Sequence, residues 1–365
     1  MAERGSTLNR LIDKSVGVVL MPFVALYRRL RRRQPTPMRR IAILAMGAIG
    51  DTVLLSGLIN AIHNKIPNIK IYVYTSRANG HAAALLSNVT GVYSYPLVKL
   101  FAMVLHMRKQ HYDLLLDSTQ WARIGSLISA LSNASLTVGF KTKGQLRSMP
   151  YDIITEHSNE RHEWKNFLAL GQVVFPGIHA KPGLVPPHIP GIELPPEPFI
   201  VCHMWTTGSN ARERLWTNKK WAILIDKLTK RGFNIVLTGA GDDAEMNEGM
   251  KMLYTSAERN EQIFIGAGKY NLIEFTEVMS KAVAMVSVNT GSMHIAALLG
   301  VPTVGIHGPT SPRRWGPAGP KAVSVQPEGA RSFLNLGYEK VPDDAYSYRV
   351  EVEQVLGALE KLGVL

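Results

Sequence analysis

An apolar strand running into a turn and then a helix recurs along this 365-residue chain, in two runs separated by a segment that resists regular structure. Residues 181–198 contain seven prolines, which deny that stretch helix or ladder hydrogen bonds and mark it as an interdomain linker. Ahead of it, strand patterns at 41–46, 69–75, 113–117 and 136–138 alternate with helical patterns at 51–65, 79–87, 98–109, 124–132 and 164–174. Beyond it, strands at 199–204, 234–238, 262–265, 283–288 and 303–306 alternate with helices near 219–230, 243–255, 272–281 and 292–299. Such alternation predicts parallel sheets with helices on both faces, and the length exceeds what one core usually holds. The expected fold is α/β, with two doubly wound Rossmann-like domains at 39–180 and 199–365 facing across a cleft. Ligands in such sheets gather beyond the carboxyl ends of the strands.

The first 38 residues read differently. Residues 16–27 are mainly apolar, and Arg28-Arg29-Leu30-Arg31-Arg32-Arg33 follows at once. Ten Lys or Arg stand against Glu3 and Asp13 before Ile41, so +8 of the formal +13 charge lies in the first 40 residues. The body is only mildly basic, which argues against a nucleic-acid surface spread over the fold. Twelve residues are too few to span a bilayer as a helix, and an arginine cluster is no signal-peptide cleavage site. An amphipathic anchor lying on an anionic membrane surface fits better than a helix packed on the first domain. The single cysteine, Cys202, excludes an internal disulfide and reads as a buried core thiol.

Two strand-to-helix turns carry the chemistry. After the first strand come Gly47, Gly50 and Asp51, a glycine turn with a carboxylate at the helix start; one Gly-x-x-Gly without Gly-Lys-Ser/Thr is neither a dinucleotide fingerprint nor a P-loop. Late in the chain a strand ends at Asn289-Thr290-Gly291, so the N–H groups of the next helix point at the turn and attract anions. Thr290 adds a hydroxyl, Gly291 permits close approach, His294 follows in the first helical turn, and Gly308-Pro309-Thr310 closes the next strand.

Together these motifs resemble glycosyltransferase family 9, the heptosyltransferases of the lipopolysaccharide inner core. Gly47, Gly50 and Asp51 match the family's opening motif, and residues 289–296 with 308–310 match its late one. The resemblance implies two domains of the GT-B type, with Asp51 as catalytic base and Arg214, two positions before Trp216, on the donor phosphates. Arg212 is the competing cation, and Thr206, Thr207 and Ser209 offer hydroxyls to the same phosphates. By family position, Tyr270 and Asp242 or Asp243 lie near the base and ribose, and His162 near the acceptor. Asn289 departs from the family's usual aspartate beside the donor sugar.

The implied activity is inverting, metal-independent glycosyl transfer, without cofactor, from a nucleotide sugar such as ADP-heptose. The acceptor would be an anionic lipid-linked saccharide of the lipopolysaccharide core, at the cytoplasmic face of a bacterial inner membrane. A nucleotide-sugar 2-epimerase of similar architecture and a non-catalytic membrane-bound nucleotide-sugar binder remain alternatives.

Overall fold

Every side chain of Ile41-Ala-Ile-Leu-Ala45 is buried, as a strand covered on both faces requires. The computed structural model describes residues 7–31, 37–120, 122–142, 144–206, 211–254, 261–329 and 345–365. It divides between Pro182 and Gly183 into two units.

The first unit runs α1 (Thr7–Leu30), β1 (Arg40–Ala45), α2 (Ile49–Leu54), α3 (Ser56–Lys65), β2 (Lys70–Ser76), α4 (Gly80–Ala83), β3 (Gly91–Tyr95), α5 (Leu100–Gln110), β4 (Leu114–Asp117), α6 (Arg123–Leu131), β5 (Leu136–Lys141), β6 (Ile153–Glu156) and α7 (Glu163–Gln172). Its sheet has the order β3-β2-β1-β4-β5-β6, all parallel. The second unit runs β7 (Phe199–His203), α8 (Ala211–Arg214), α9 (Asn218–Thr229), β8 (Asn234–Thr238), α10 (Ala244–Tyr254), β9 (Ile263–Ile265), α11 (Leu272–Lys281), β10 (Ala284–Val288), α12 (Gly291–Leu298), β11 (Thr303–Ile306), α13 (Pro312–Trp315), β12 (Ala322–Val325) and α14 (Val352–Lys361). Its order, β12-β11-β10-β7-β8-β9, is the same winding, again all parallel. The doubly wound α/β expectation holds for both units. In each sheet the winding reverses beside the first strand, between β1 and β4 and between β7 and β10. That reversal opens a crevice at the carboxyl ends of these strands.

Three strands carry no continuous apolar run and were not expected: β3, β6 and β12. The helix expected over 51–65 is broken at Leu55, and that over 79–87 contracts to α4. The proline-rich segment is not a free spacer, because from Gly183 it lies along the second unit. The Leu184 N–H donates to Leu298 O at 2.9 Å, the Asn234 amide to Pro196 O at 2.9 Å, and the Ile189 N–H to Glu277.

Within the N-terminal arm, Thr7–Leu30 form one helix, α1, docked beside α6. Met21 and Ala25 are buried, and Arg28 donates to the carbonyls of Ala134 and Ser135 and pairs with Asp152. Asp13 pairs with Arg123 at 2.9 Å. Its outer face keeps Val19, Phe23, Leu26 and Leu30 exposed.

The loop after β4 is held by a buried polar cluster. Arg147, fully buried, donates to Asp117 at 3.0 Å, to the Thr119 hydroxyl at 2.7 Å and to Tyr151 at 2.9 Å. Burial keeps the Tyr151 hydroxyl protonated, and it donates to the same Asp117 carboxylate. Removing the guanidinium strands a buried carboxylate, so Arg147→Ala should cost about 3–5 kcal/mol in urea unfolding. Asp117→Asn, which leaves the cation unpaired, should fall in the same class.

Candidate functional site

The second unit gathers most of the expected residues along one sheet edge. At the carboxyl end of β7 the chain leaves the sheet at His203, and burial lowers this imidazole to about pKa 4 while its Nδ1 lies 3.0 Å from the Thr238 hydroxyl. Thr206 follows in the loop; Thr207 and Ser209 lie outside the described residues. In α8, Arg212 is exposed whereas Arg214 is half-buried. The Arg214 Nη1 donates to Asn289 O at 3.2 Å, seating the guanidinium against the β10–α12 turn. Burial draws its pKa below the ordinary value, but an arginine stays cationic, so this is a partly desolvated charge suited to an anion. Trp216 explains why the spacing matters. Its indole is 2% exposed, donates to Val350 O at 2.8 Å and meets Trp221 edge-on at 5.0 Å, anchoring the chain two residues after Arg214.

Across the reversal point, Thr290 stands at the N-cap position of α12 with extended backbone, φ −143° and ψ 174°. Its hydroxyl makes no cap bond to the helix and lies 3.3 Å from Ser287 Oγ, so Gly291 and the next residues begin α12 without a side-chain cap. Asn289 is turned inward. Its amide donates to the Thr310 hydroxyl at 2.7 Å and lies 3.4 Å from His307 Nδ1, which is 3.2 Å from the same hydroxyl. This network locks the β10 turn to the β11 turn, and His307, fully buried, is a residue the sequence reading did not single out. Its only sequence signal is that it directly follows the apolar strand. Gly308 has a packing reason, because a Cβ there would lie 2.3 Å from the Ser347 nitrogen. His294, fourth in α12, is 4% exposed, leaving little of its ring for a ligand.

At the other side of β7, Asp242 is exposed in the short turn after β8, while Asp243 accepts the Ala240 N–H at 2.7 Å. Tyr270 follows β9, half-buried, its hydroxyl donating to Glu193 O at 3.0 Å. These two turns touch: Gly268, at φ +71°, would place a Cβ 2.9 Å from Gly241 Cα.

In the first unit, Gly47, Gly50 and Asp51 occupy the equivalent edge beyond β1. Asp51 Oδ2 accepts the Ala48 N–H at 3.0 Å, and its Oδ1 receives the Gln120 amide at 3.4 Å from the loop after β4. A Cβ on Gly47 would stand 3.1 Å from Asp51 Oδ2, so the glycine makes room for this carboxylate. His162 serves as N-cap of α7, accepting the Trp164 N–H at 3.3 Å. The buried pair nearby is instead His157 with Glu163, at 2.7 Å, braced by Asn166.

Comparison with known proteins agrees with this fold. Residues 193–333 match the model of glycosyltransferase family 9 (heptosyltransferase). Lipooligosaccharide heptosyltransferase 2 of Haemophilus influenzae is 30% identical over 111 residues, 30% of this chain and 32% of that protein. The chain thus spans about a third of the length of that curated relative in the matched region. Lipopolysaccharide core heptosyltransferase OpsX of the same organism is 21% identical over 89% of this chain and 97% of its own. The solved structure of Escherichia coli ADP-heptose lipopolysaccharide heptosyltransferase II superposes with a TM-score of 0.71 at 18% identity, covering 88% of this chain and 98% of that one.

Two measurements test this site. Arg214→Ala should weaken nucleoside diphosphate binding, read by calorimetry, about 10- to 100-fold, the worth of a charge-assisted hydrogen bond. Arg212→Ala should change it by less than about threefold, since an exposed charge contributes little; the reverse order would move the phosphate site off Arg214. His203 stays neutral in the folded protein down to about pH 4, whereas the unfolded chain protonates near 6.5. The unfolded state therefore binds the extra proton in that window, and stability should be full above 6.5 and fall as pH drops toward 4. A His203→Gln variant should flatten that part of the urea-unfolding profile.

Proposed function

We propose that this glycosyltransferase family 9-like chain transfers a sugar, heptose from ADP-heptose, to a lipopolysaccharide core or related lipid-linked saccharide. The observation that carries the reading is the Arg214 guanidinium seated on the Asn289 carbonyl at the second unit's reversal point, beside an α12 start that Thr290 leaves uncapped. Cation and helix start together suit a diphosphate.

The sheet order supports one direction for the donor. Tyr270 and Asp242 follow the adjacent strands β9 and β8, Thr206 and Arg214 follow β7, and Thr290 follows β10. A nucleotide laid along this edge would have base and ribose at the first pair, diphosphate at the second and sugar beyond β10. Asn289 then acts through its backbone carbonyl, which holds Arg214, and its amide, which holds the β11 turn.

Asp51 is the base in this mechanism. The acceptor oxygen attacks the anomeric carbon from the face opposite the phosphate, its proton passes to the Asp51 carboxylate, and the bond from anomeric carbon to phosphate oxygen breaks with inversion. The leaving diphosphate's charge goes to Arg214 and the α12 N–H groups, which supply electrostatic stabilisation without a metal. The backbone and amide bonds to its two oxygens hold the Asp51 carboxylate in one orientation.

The acceptor's lipid places the enzyme at a membrane surface, peripheral to the cytoplasmic face of a bacterial inner membrane. Among the described residues no helix is long and apolar enough to cross a membrane. The exposed apolar face of α1 and its terminal arginines support attachment along the surface instead.

Transfer from ADP-heptose to a deacylated core saccharide, with product read by mass spectrometry, tests the activity; loss of product with a chelator and recovery with magnesium would refute metal independence. Conversion of donor alone would favour an epimerase. Asp51→Asn should leave donor affinity near normal and lower turnover by about 10²–10⁴-fold, the usual worth of a positioned base. Unchanged turnover in the folded variant removes Asp51 from the mechanism.

A further inference from the structure

Two helices of the first unit leave apolar stripes in solvent. On α1, Val19, Phe23, Leu26 and Leu30 recur at spacings of four, three and four residues, one face of a helix, and are 64, 68, 56 and 78% exposed. Val98, in the turn Leu97–Lys99 that leads into α5, is 90% exposed, and Phe101 in the first turn of α5 is 75% exposed. The opposite faces are core: Met21 and Ala25 of α1, and Met103, Val104 and Met107 of α5, are buried. Both helices pack on α6, and they meet where Arg108 Nη2 donates to the Tyr27 hydroxyl at 3.5 Å.

Scattered exposed apolar residues are ordinary, but six large ones in two stripes on neighbouring helices are not. Charge selects the occupant. Arg29, Arg31, Lys99 and Lys109 are exposed around these stripes, and across residues 7–31 and 97–110 the one carboxylate is Asp13, which is paired with Arg123. A face that is apolar at its centre, cationic at its rim and almost without acid matches an anionic lipid surface.

We propose that α1 and the 98–101 turn of α5 form a single two-helix docking face that seats the protein on an anionic bilayer. This extends the membrane-surface reading of α1 and rests on it; α5 is the new element. The face is fixed to the first sheet through Arg28 with Asp152 and Asp13 with Arg123, so it sets an orientation as well as an attachment. β3 ends at Tyr95 on the carboxyl edge of the sheet, and Val98 and Phe101 follow directly, so this half of the face leaves the sheet at the edge that carries Asp51. A lipid-linked saccharide rising from the bilayer would meet that edge.

Point variants test this better than truncation, because removing α1 would break the ion pairs of Arg28 with Asp152 and of Asp13 with Arg123. Full-length protein is floated with vesicles of phosphatidylcholine alone and of phosphatidylcholine with phosphatidylglycerol, as wild type, Phe23→Glu, Phe101→Glu and the double variant. Near-ultraviolet circular dichroism and Tm verify the fold. Wild type should bind only the anionic vesicles, and each single variant should lose about tenfold in vesicle affinity, the double variant more, at unchanged Tm. Loss with Phe23→Glu but not Phe101→Glu would remove α5 and leave α1 as the sole contact. Wild-type protein indifferent to anionic vesicles would overturn the membrane reading itself. A wild-type dimer in sedimentation that Phe101→Glu converts to monomer would assign the face to a second copy of the chain and overturn the proposal.

Discussion

A parallel strand buried on both faces must hand all its hydrogen bonds to neighbouring strands, and its chain must cross a helix before it can return. In each unit the chain lays strands to one side, then restarts beside its first strand and fills the other side. Both candidate sites follow from that restart. The two helices leaving β1 and β4, or β7 and β10, depart to opposite faces of the sheet, and the crevice between them receives Asp51 with Gln120 in one unit and Arg214 with Asn289 in the other. The same winding, executed twice, yields a carboxylate at one reversal and a cation at the other.

Strands buried on both sides were legible because burial there is continuous: Leu114-Leu-Leu-Asp117 and Ala284-Met-Val-Ser-Val288 are buried throughout and flank the reversal points. The missed strands are at or next to sheet edges. In β6 the burial alternates between partial and exposed, and β3 and β12 are mostly half-buried, so no apolar run announces them. The turns Gly47–Asp51 and Asn289–Gly291 were readable because glycine and cap chemistry are local. The partners of those turns were not, since Gln120, His307 and Thr310 reach them through pairings 18 to 69 residues apart. Arg214 could be distinguished from Arg212 by its spacing to Trp216, but the cause, an indole anchored on Val350, is a tertiary fact.

His162 and Asp243 show how the same residue types serve local structure. A histidine just ahead of a helix accepts the Trp164 N–H as an N-cap, and an aspartate three residues into a turn bonds back to Ala240. Asp51 makes the same backbone bond to Ala48, so capping alone separates neither role. What distinguishes Asp51 is its place at the sheet reversal and the Gln120 amide on its other oxygen, whereas Asp243 follows β8, away from the reversal.

The N-terminal helix joins two patterns that sequence periodicity merges. Residues 16–27 are apolar nearly all round, which reads equally as a membrane anchor or a packed helix, and the structure divides them into a buried stripe with Met21 and Ala25 and an exposed one with Phe23 and Leu26. The arginine run is divided as well. Arg28 is committed to Asp152 and two carbonyls beneath the helix, while Arg29 and Arg31 stay in solvent. Buried pairing is what makes the outer stripe useful, because a helix bolted to the sheet cannot tuck its apolar face inward to hide it. Solvent exposure of Phe23 and Leu30 is then a standing cost that no described residue relieves, and a lipid surface would.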